Sequence, residues 1–144
     1  MKTWRQPGTE QRDSDEELAA MVCQAVAPLL NPSVCGQQRG LYLATSDAGI
    51  SRAVQFWADA LAETPRFASP AGFPWTLANS PAALIARELD IRGPNHTNVG
   101  EQEALDAAMA QGRSDLQSGR IREALVVTMN LGADCQAQAL LLDG

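Results

Sequence analysis

The chain has 144 residues, 45% of them hydrophobic, a formal net charge of −6 and a sequence pI near 4.6. That length suits one domain with a core of its own, and the acidic balance disfavours a nucleic-acid partner, which wants a basic face. With no run of about 18 apolar residues and no apolar stretch in Met1–Arg12, neither a membrane span nor a secretory signal is expected.

Three cysteines, Cys23, Cys35 and Cys135, lie far apart with no C-x-x-C; an odd count of this kind fits a reducing, cytoplasmic setting. Cys23 falls on a predicted helix and reads as a small buried hydrophobe. Cysteine catalysis would need a neighbouring histidine, and His96 is the single histidine of the chain.

Residues 1–13 show no hydrophobic period and are expected to form a flexible segment ahead of a single domain over 14–144. Ser14-Asp15-Glu16-Glu17 reads as a capping box. Leu18, Met21, Val22, Ala25, Val26, Leu29 and Leu30 then recur at helical spacing until Asn31-Pro32. The acidic first turn offsets the helix dipole rather than marking a metal site. A polar loop over 31–38 leads to Gly40–Thr45, an apolar strand without alternation, as expected for one covered on both faces. Ser46-Asp47 reads better as a helix cap than as a nucleophile with its acid. Ile50, Ala53, Val54, Trp57, Ala58 and Leu61 make the apolar face of a second helix, closed by Thr64-Pro65.

Residues 64–75 hold three prolines and three aromatics. A packed surface loop and a pocket wall or partner contact are equally good readings of them, with Phe73 and Trp75 as contact candidates. Ser80 can cap a third helix with Pro81 in its first position; Leu84, Ile85 and Leu89 share a face, and Gly93-Pro94 stops it. Asn95–Val99 is short and extended, and Gly100 reverses it into a helix from about Glu101. An elbow of this kind suits a nucleophile or an anion, because free N–H groups and the helix dipole favour negative charge there. Strands are expected over Ile121–Met129 and Ala137–Leu142, joined by a polar turn over Asn130–Gln136. Helices alternating with short apolar strands point to a layered α/β fold.

Neither nucleotide-binding fingerprint occurs, and one histidine with scattered carboxylates disfavours a catalytic zinc site. Glu101, Glu103 and Asp106 crowd the start of the elbow helix. They could hold a hard cation, but carboxylates are common there for dipole reasons alone. His96 could orient a partner group; a lone histidine beside a strand is more often structural. No cofactor and no metal are implied.

The run Asn79, Ala82, Ile85-Ala86, Leu89, Ile91-x-Gly93-Pro94 resembles the segment before the active-site cysteine of β-ketoacyl-ACP synthases. Ala44-Thr45-Ser46 is similar to that family's loop after an earlier strand. Gly119, Ala124–Val127 and Ala139–Leu142 fall where it has its next two strands. The order of elements agrees over 15–144, and the motifs are specific over Asn79–Val127. The resemblance implies a thiolase-like half-domain, with a mixed four- to five-stranded sheet and helices on both faces. A small doubly wound α/β domain is the alternative.

The chain departs from the family at the elbow. No cysteine stands there. Counting from Gly93-Pro94 puts Gln102 at the nucleophile position, and counting back from Leu105 puts Glu101 there. Neither can be acylated as a thiolate is. The two catalytic histidines belong to the family's second half, which has no counterpart in these residues. The resemblance therefore implies a non-catalytic partner subunit similar to chain-length factors, in fatty-acid or polyketide-type biosynthesis. Asn79 and His96 are further contact candidates. Its partners would be a second copy or a full-length ketosynthase, joined through Asn95, His96, Thr97, Asn98 and Val99, with an acyl carrier protein as a further partner. The alternatives are a decarboxylase of malonyl-carrier substrates using Gln102 with residues donated by a partner, and a generic acyl- or protein-binding scaffold.

Overall fold

A computed structural model describes residues 1–5, 14–63, 70–130 and 136–144. Its elements are β1 (Lys2–Arg5), α1 (Asp15–Val26), β2 (Arg39–Thr45), α2 (Ile50–Glu63), α3 (Ser80–Glu88), β3 (Asn95–Val99), α4 (Gln102–Gln117), β4 (Glu123–Asn130) and β5 (Gln136–Asp143). The strands form one mixed sheet in the order β1-β5-β4-β2-β3. β2 lies parallel to both β3 and β4, while β5 runs antiparallel to β4 and to β1. This is the expected mixed sheet with helices on both faces, at the upper end of the four to five strands expected. Among the described residues no helix is long and apolar enough to cross a membrane.

Alternation along β2 splits the core in two, because successive side chains of a strand point to opposite faces. Leu41 and Leu43 join Leu18, Val22 and Val26 of α1 and Ala82 and Ile85 of α3 on one face. Tyr42 and Ala44 join Ala104 and Ala108 of α4 with Ala124 and Val126 of β4 on the other. Burying a side chain the size of leucine stabilises by about 1.5–3 kcal/mol, so both layers contribute. The small residues on α4 let it lie close to the sheet. At Gly112, an added Cβ would come within 3.3 Å of the Tyr42 ring.

A buried ion pair fixes the start of β2 against β4. Arg39 Nε donates to Glu123 Oε2 at 2.6 Å, and the Asn31 N–H donates to Glu123 Oε1 at 3.0 Å. Glu123 is 1% exposed, so its charge depends on these partners.

Four expectations need correction. Lys2–Arg5 is an edge strand, not part of a loose segment, and Lys2, Thr3, Trp4 and Arg5 stand opposite Leu141, Leu140, Ala139 and Gln138. Residues 6–13 lie outside the described residues, as do Thr64-Pro65, Phe67, most of the 130–136 turn and Cys135. Second, α1 ends at Val26 and tightens into a 3₁₀ turn over Ala27–Leu29, ahead of Asn31-Pro32. Third, Ser80 is not the cap of α3. Asn79 holds the cap position without a side-chain bond, Pro81 is second in the helix, and the Ser80 hydroxyl donates to the Pro74 carbonyl. The helix stops at Glu88, with Asp90 in the left-handed region at φ 52°, and Gly93-Pro94 serves the next turn instead. A Cβ on Gly93 would strike the Arg39 carbonyl, so the chain can pass there only as glycine. Fourth, the apolar face of α2 is turned to solvent: Ile50, Val54, Trp57 and Leu61 are exposed, and only Ala53 of the expected set is half-buried.

Candidate functional site

Three parallel strands end together at Thr45, Val99 and Asn130, and ligand sites of α/β sheets form at such carboxyl ends. β3 gives way to α4 through Gly100. Its φ of 149° is a conformation that side chains disfavour, and its N–H donates to the Thr45 carbonyl at 2.9 Å. Glu101 takes the cap position of α4 with φ −93° and ψ −120°, and no side chain caps that end. Gln102 is the first helical residue, and its Nε2 donates to Asp106 Oδ1 at 3.0 Å along the helix.

A cavity of about 390 Å³ opens at this corner, lined among others by Thr45, Ser46, Gly100, Glu101, Gln102 and Leu105. Its far wall is Thr128 and Asn130 of β4 with Gln136 and Gln138 of β5. Ser46 is tied across it: its N–H and its hydroxyl both donate to Asn130 Oδ1, at 2.8 and 3.1 Å. Thr45 Oγ1 accepts the N–H of Ala48 at 2.9 Å and so shapes the turn into α2. Ser46 therefore acts as a wall group rather than an activated nucleophile. Among the described residues the lining offers hydroxyls, amides and one carboxylate, without a thiol or an imidazole.

Of the residues singled out in the sequence, Glu101 and Gln102 meet at this cavity. Phe73, Trp75, Asn79 and His96 do not line it. His96 is exposed on β3 and stacks on Tyr42, with ring centroids 5.7 Å apart and planes within 5°. The Tyr42 hydroxyl donates to Asp115 Oδ2 at 2.6 Å. Burial, and then this carboxylate, push the phenol far above its ordinary range. Phe73 is exposed and packs against Phe56 of α2, with centroids 5.8 Å apart. Cys23 is buried, and its thiol is pushed up to about 11, first by desolvation and then by the Glu88 charge; Cys35 is exposed. Among the described residues no three His, Cys, Asp or Glu side chains gather as a metal site would require. Sequence reading missed the far wall. Its one signal was Asn130, a polar residue closing a strand with an apolar centre, Ala124–Val127.

β3 is an edge. The Pro94 carbonyl accepts the Leu41 N–H, and the Gly100 N–H donates to the Thr45 carbonyl. In a parallel ladder the inward residues alternate, so His96 and Asn98 bond to β2 and Asn95, Thr97 and Val99 turn their backbone groups outward. The Thr97 hydroxyl is buried with no hydrogen-bond partner among the described residues.

No family model matches the chain, and no curated protein matches it. Solved structures do. A ketosynthase in complex with its chain length factor from Xenorhabdus doucetiae matches with a TM-score of 0.70 at 15% identity, over 90% of this chain and 57% of that one. A type II PKS acyl-carrier protein in complex with its ketosynthase bound to the hexaketide gives 0.79 at 12%, over 94% and 45%. The ishigamide ketosynthase/chain length factor gives 0.75 at 16%, over 93% and 44%. The chain spans about half the length of the structures it matches. These likenesses show the fold: a thiolase-like α/β half-domain, similar to about half of those ketosynthase and chain-length-factor structures.

Proposed function

We propose that this chain is a non-catalytic, ketosynthase-like partner subunit of the chain-length-factor kind, in polyketide- or fatty-acid-type biosynthesis. The observation that carries this reading is the elbow: Gly100-Glu101-Gln102 opens α4 at the cavity mouth with no nucleophile at its tip. One N–H of the Gln102 amide is held by Asp106, which draws the side chain along α4 and disfavours the decarboxylase alternative. The partner is a full-length ketosynthase, paired edge to edge through β3. The outward amides of Asn95, Thr97 and Val99 are a ready template for antiparallel pairing. An acyl carrier protein reaches such a complex as the carrier of its substrate.

Two measurements test the reading. Intact-mass analysis after incubation with acyl-carrier or acyl-CoA donors is expected to show no adduct; stoichiometric acylation of any residue refutes the non-catalytic role. Co-purification with a ketosynthase encoded beside it is expected for the wild type and lost in Thr97→Pro, which deletes an outward donor and no inward one. A pair that survives Thr97→Pro is not joined through β3.

A further inference from the structure

Among the described residues, most exposed large hydrophobic side chains gather away from both the cavity and the β3 edge. On α2, Ile50, Val54, Trp57 and Leu61 are 55, 66, 61 and 80% exposed. Phe73 and Leu77 stand exposed on the adjoining turn. Such side chains present roughly 100 Å² each when half exposed or more, given a full area of about 150–250 Å² for an aromatic. The patch is thus on the order of 600 Å², the upper end for an ordinary monomer, and approaches the ~800 Å² per partner of a stable interface.

The spacing says what kind of surface fits. Steps of four, three and four residues from Ile50 to Leu61 repeat a coiled-coil seam, the narrow stripe that a second helix covers. Beside the seam lie Ser51, Ala58 and Ala62, small and uncharged, so a second helix can approach closely. Arg52 and Asp59 fall about half a turn away, on the opposite side of α2. Nothing charged is buried, and nothing repels an identical helix. Laid antiparallel about a twofold axis, the stripe matches itself: Ile50 meets Leu61 of the other copy and Val54 meets its Trp57. A lipid surface fits less well, because membrane-binding helices are rich in cations on their polar face and Arg52 stands with Asp59.

We propose that α2 is a self-docking helix, and that two copies of this chain pair through α2 against α2. This interface is independent of β3, so a subunit already bound to a ketosynthase through Thr97 can still pair. The test is sedimentation velocity on the full chain alone, with Val54→Glu, Val54→Leu and Thr97→Pro beside the wild type. The wild type is expected to be dimeric, as are Val54→Leu and Thr97→Pro. Val54→Glu is expected to weaken pairing roughly a hundredfold, since two charges enter each dimer. Val54 is largely exposed in the single chain, so the glutamate is expected to leave the circular dichroism of the fold unchanged. A monomeric wild type overturns the proposal, as does a dimer that ignores Val54→Glu. A dimer split by Thr97→Pro alone assigns self-pairing to β3 instead. A monomer that binds anionic vesicles through Trp57 makes α2 a lipid contact and overturns it too.

Discussion

Along α1, Leu18, Val22 and Val26 recur every four residues and are buried against α3 and the sheet; along α2, Ile50, Val54, Trp57 and Leu61 recur just as regularly and stand in solvent. Both stripes obey the helical period. What separates them is position. α1 lies across β4 and β5 and against α3, while α2 touches mainly the 3₁₀ turn Phe73–Thr76 through the flank beside its stripe, where Ala60 is buried and Phe56 half-buried. Periodicity reports that a helix has an apolar face; it does not say whether the same chain covers it.

The largest expected effect breaks this comparison open. Leu18→Ala is expected to cost about 2–5 kcal/mol in urea unfolding, because a fully buried side chain leaves a cavity. Trp57→Ala, measured at low protein concentration, is expected to stay within about 0.5 kcal/mol of wild type despite removing a larger group. If Trp57→Ala proves as costly as Leu18→Ala in the isolated chain, α2 is packed by its own chain and the contrast fails.

A smaller effect sharpens the comparison with a reactive probe. Cys23 lies in the buried layer of α1, with its thiol raised to about 11, and Cys35 lies exposed on a loop. With Cys135 replaced by serine, a disulfide reagent at about pH 8 is expected to label Cys35 promptly and Cys23 only on unfolding, since the thiolate is the reacting form. Prompt labelling of both would show that the α1 layer opens readily.

Much of this architecture was legible in the sequence. β2, β3, β4, β5 and α4 fall within a residue or two of expectation, because glycine, proline or polar turns bound them and β2, β4 and β5 are apolar runs. β1 was not. In Lys2-Thr3-Trp4-Arg5 only Trp4 is half-buried, so no alternation exists to read, and the strand is made by pairing with β5 at the far end of the chain. The elbow was visible in Gly100. The opposite wall was not, because Ser46 and Asn130 are 84 residues apart and nothing local in either stretch announces the other.

The joint between the two compared helices gives the finest test. Asp15, in the first turn of α1, is 2% exposed, and its Oδ2 accepts the Gly49 N–H at 2.8 Å just ahead of α2. Burial raises its pKa above the ordinary 3.8; the Gly49 bond lowers it, Asp47 raises it and Arg52 lowers it, each by less. A carboxyl whose folded pKa is raised holds its proton more tightly in the folded state. Its contribution to stability is therefore full below its unfolded pKa and is lost as pH rises through the folded one. Asp15→Asn keeps an acceptor for the Gly49 N–H and removes the titration. The stability of Asp15→Asn relative to wild type is thus expected to grow with pH across the acid range and then level off. Urea unfolding of both proteins between about pH 3 and pH 7 reads this directly. The opposite slope would mean that the bond to Gly49 and the charge of Arg52 outweigh burial, and that α2 is held to α1 by an ionised carboxylate.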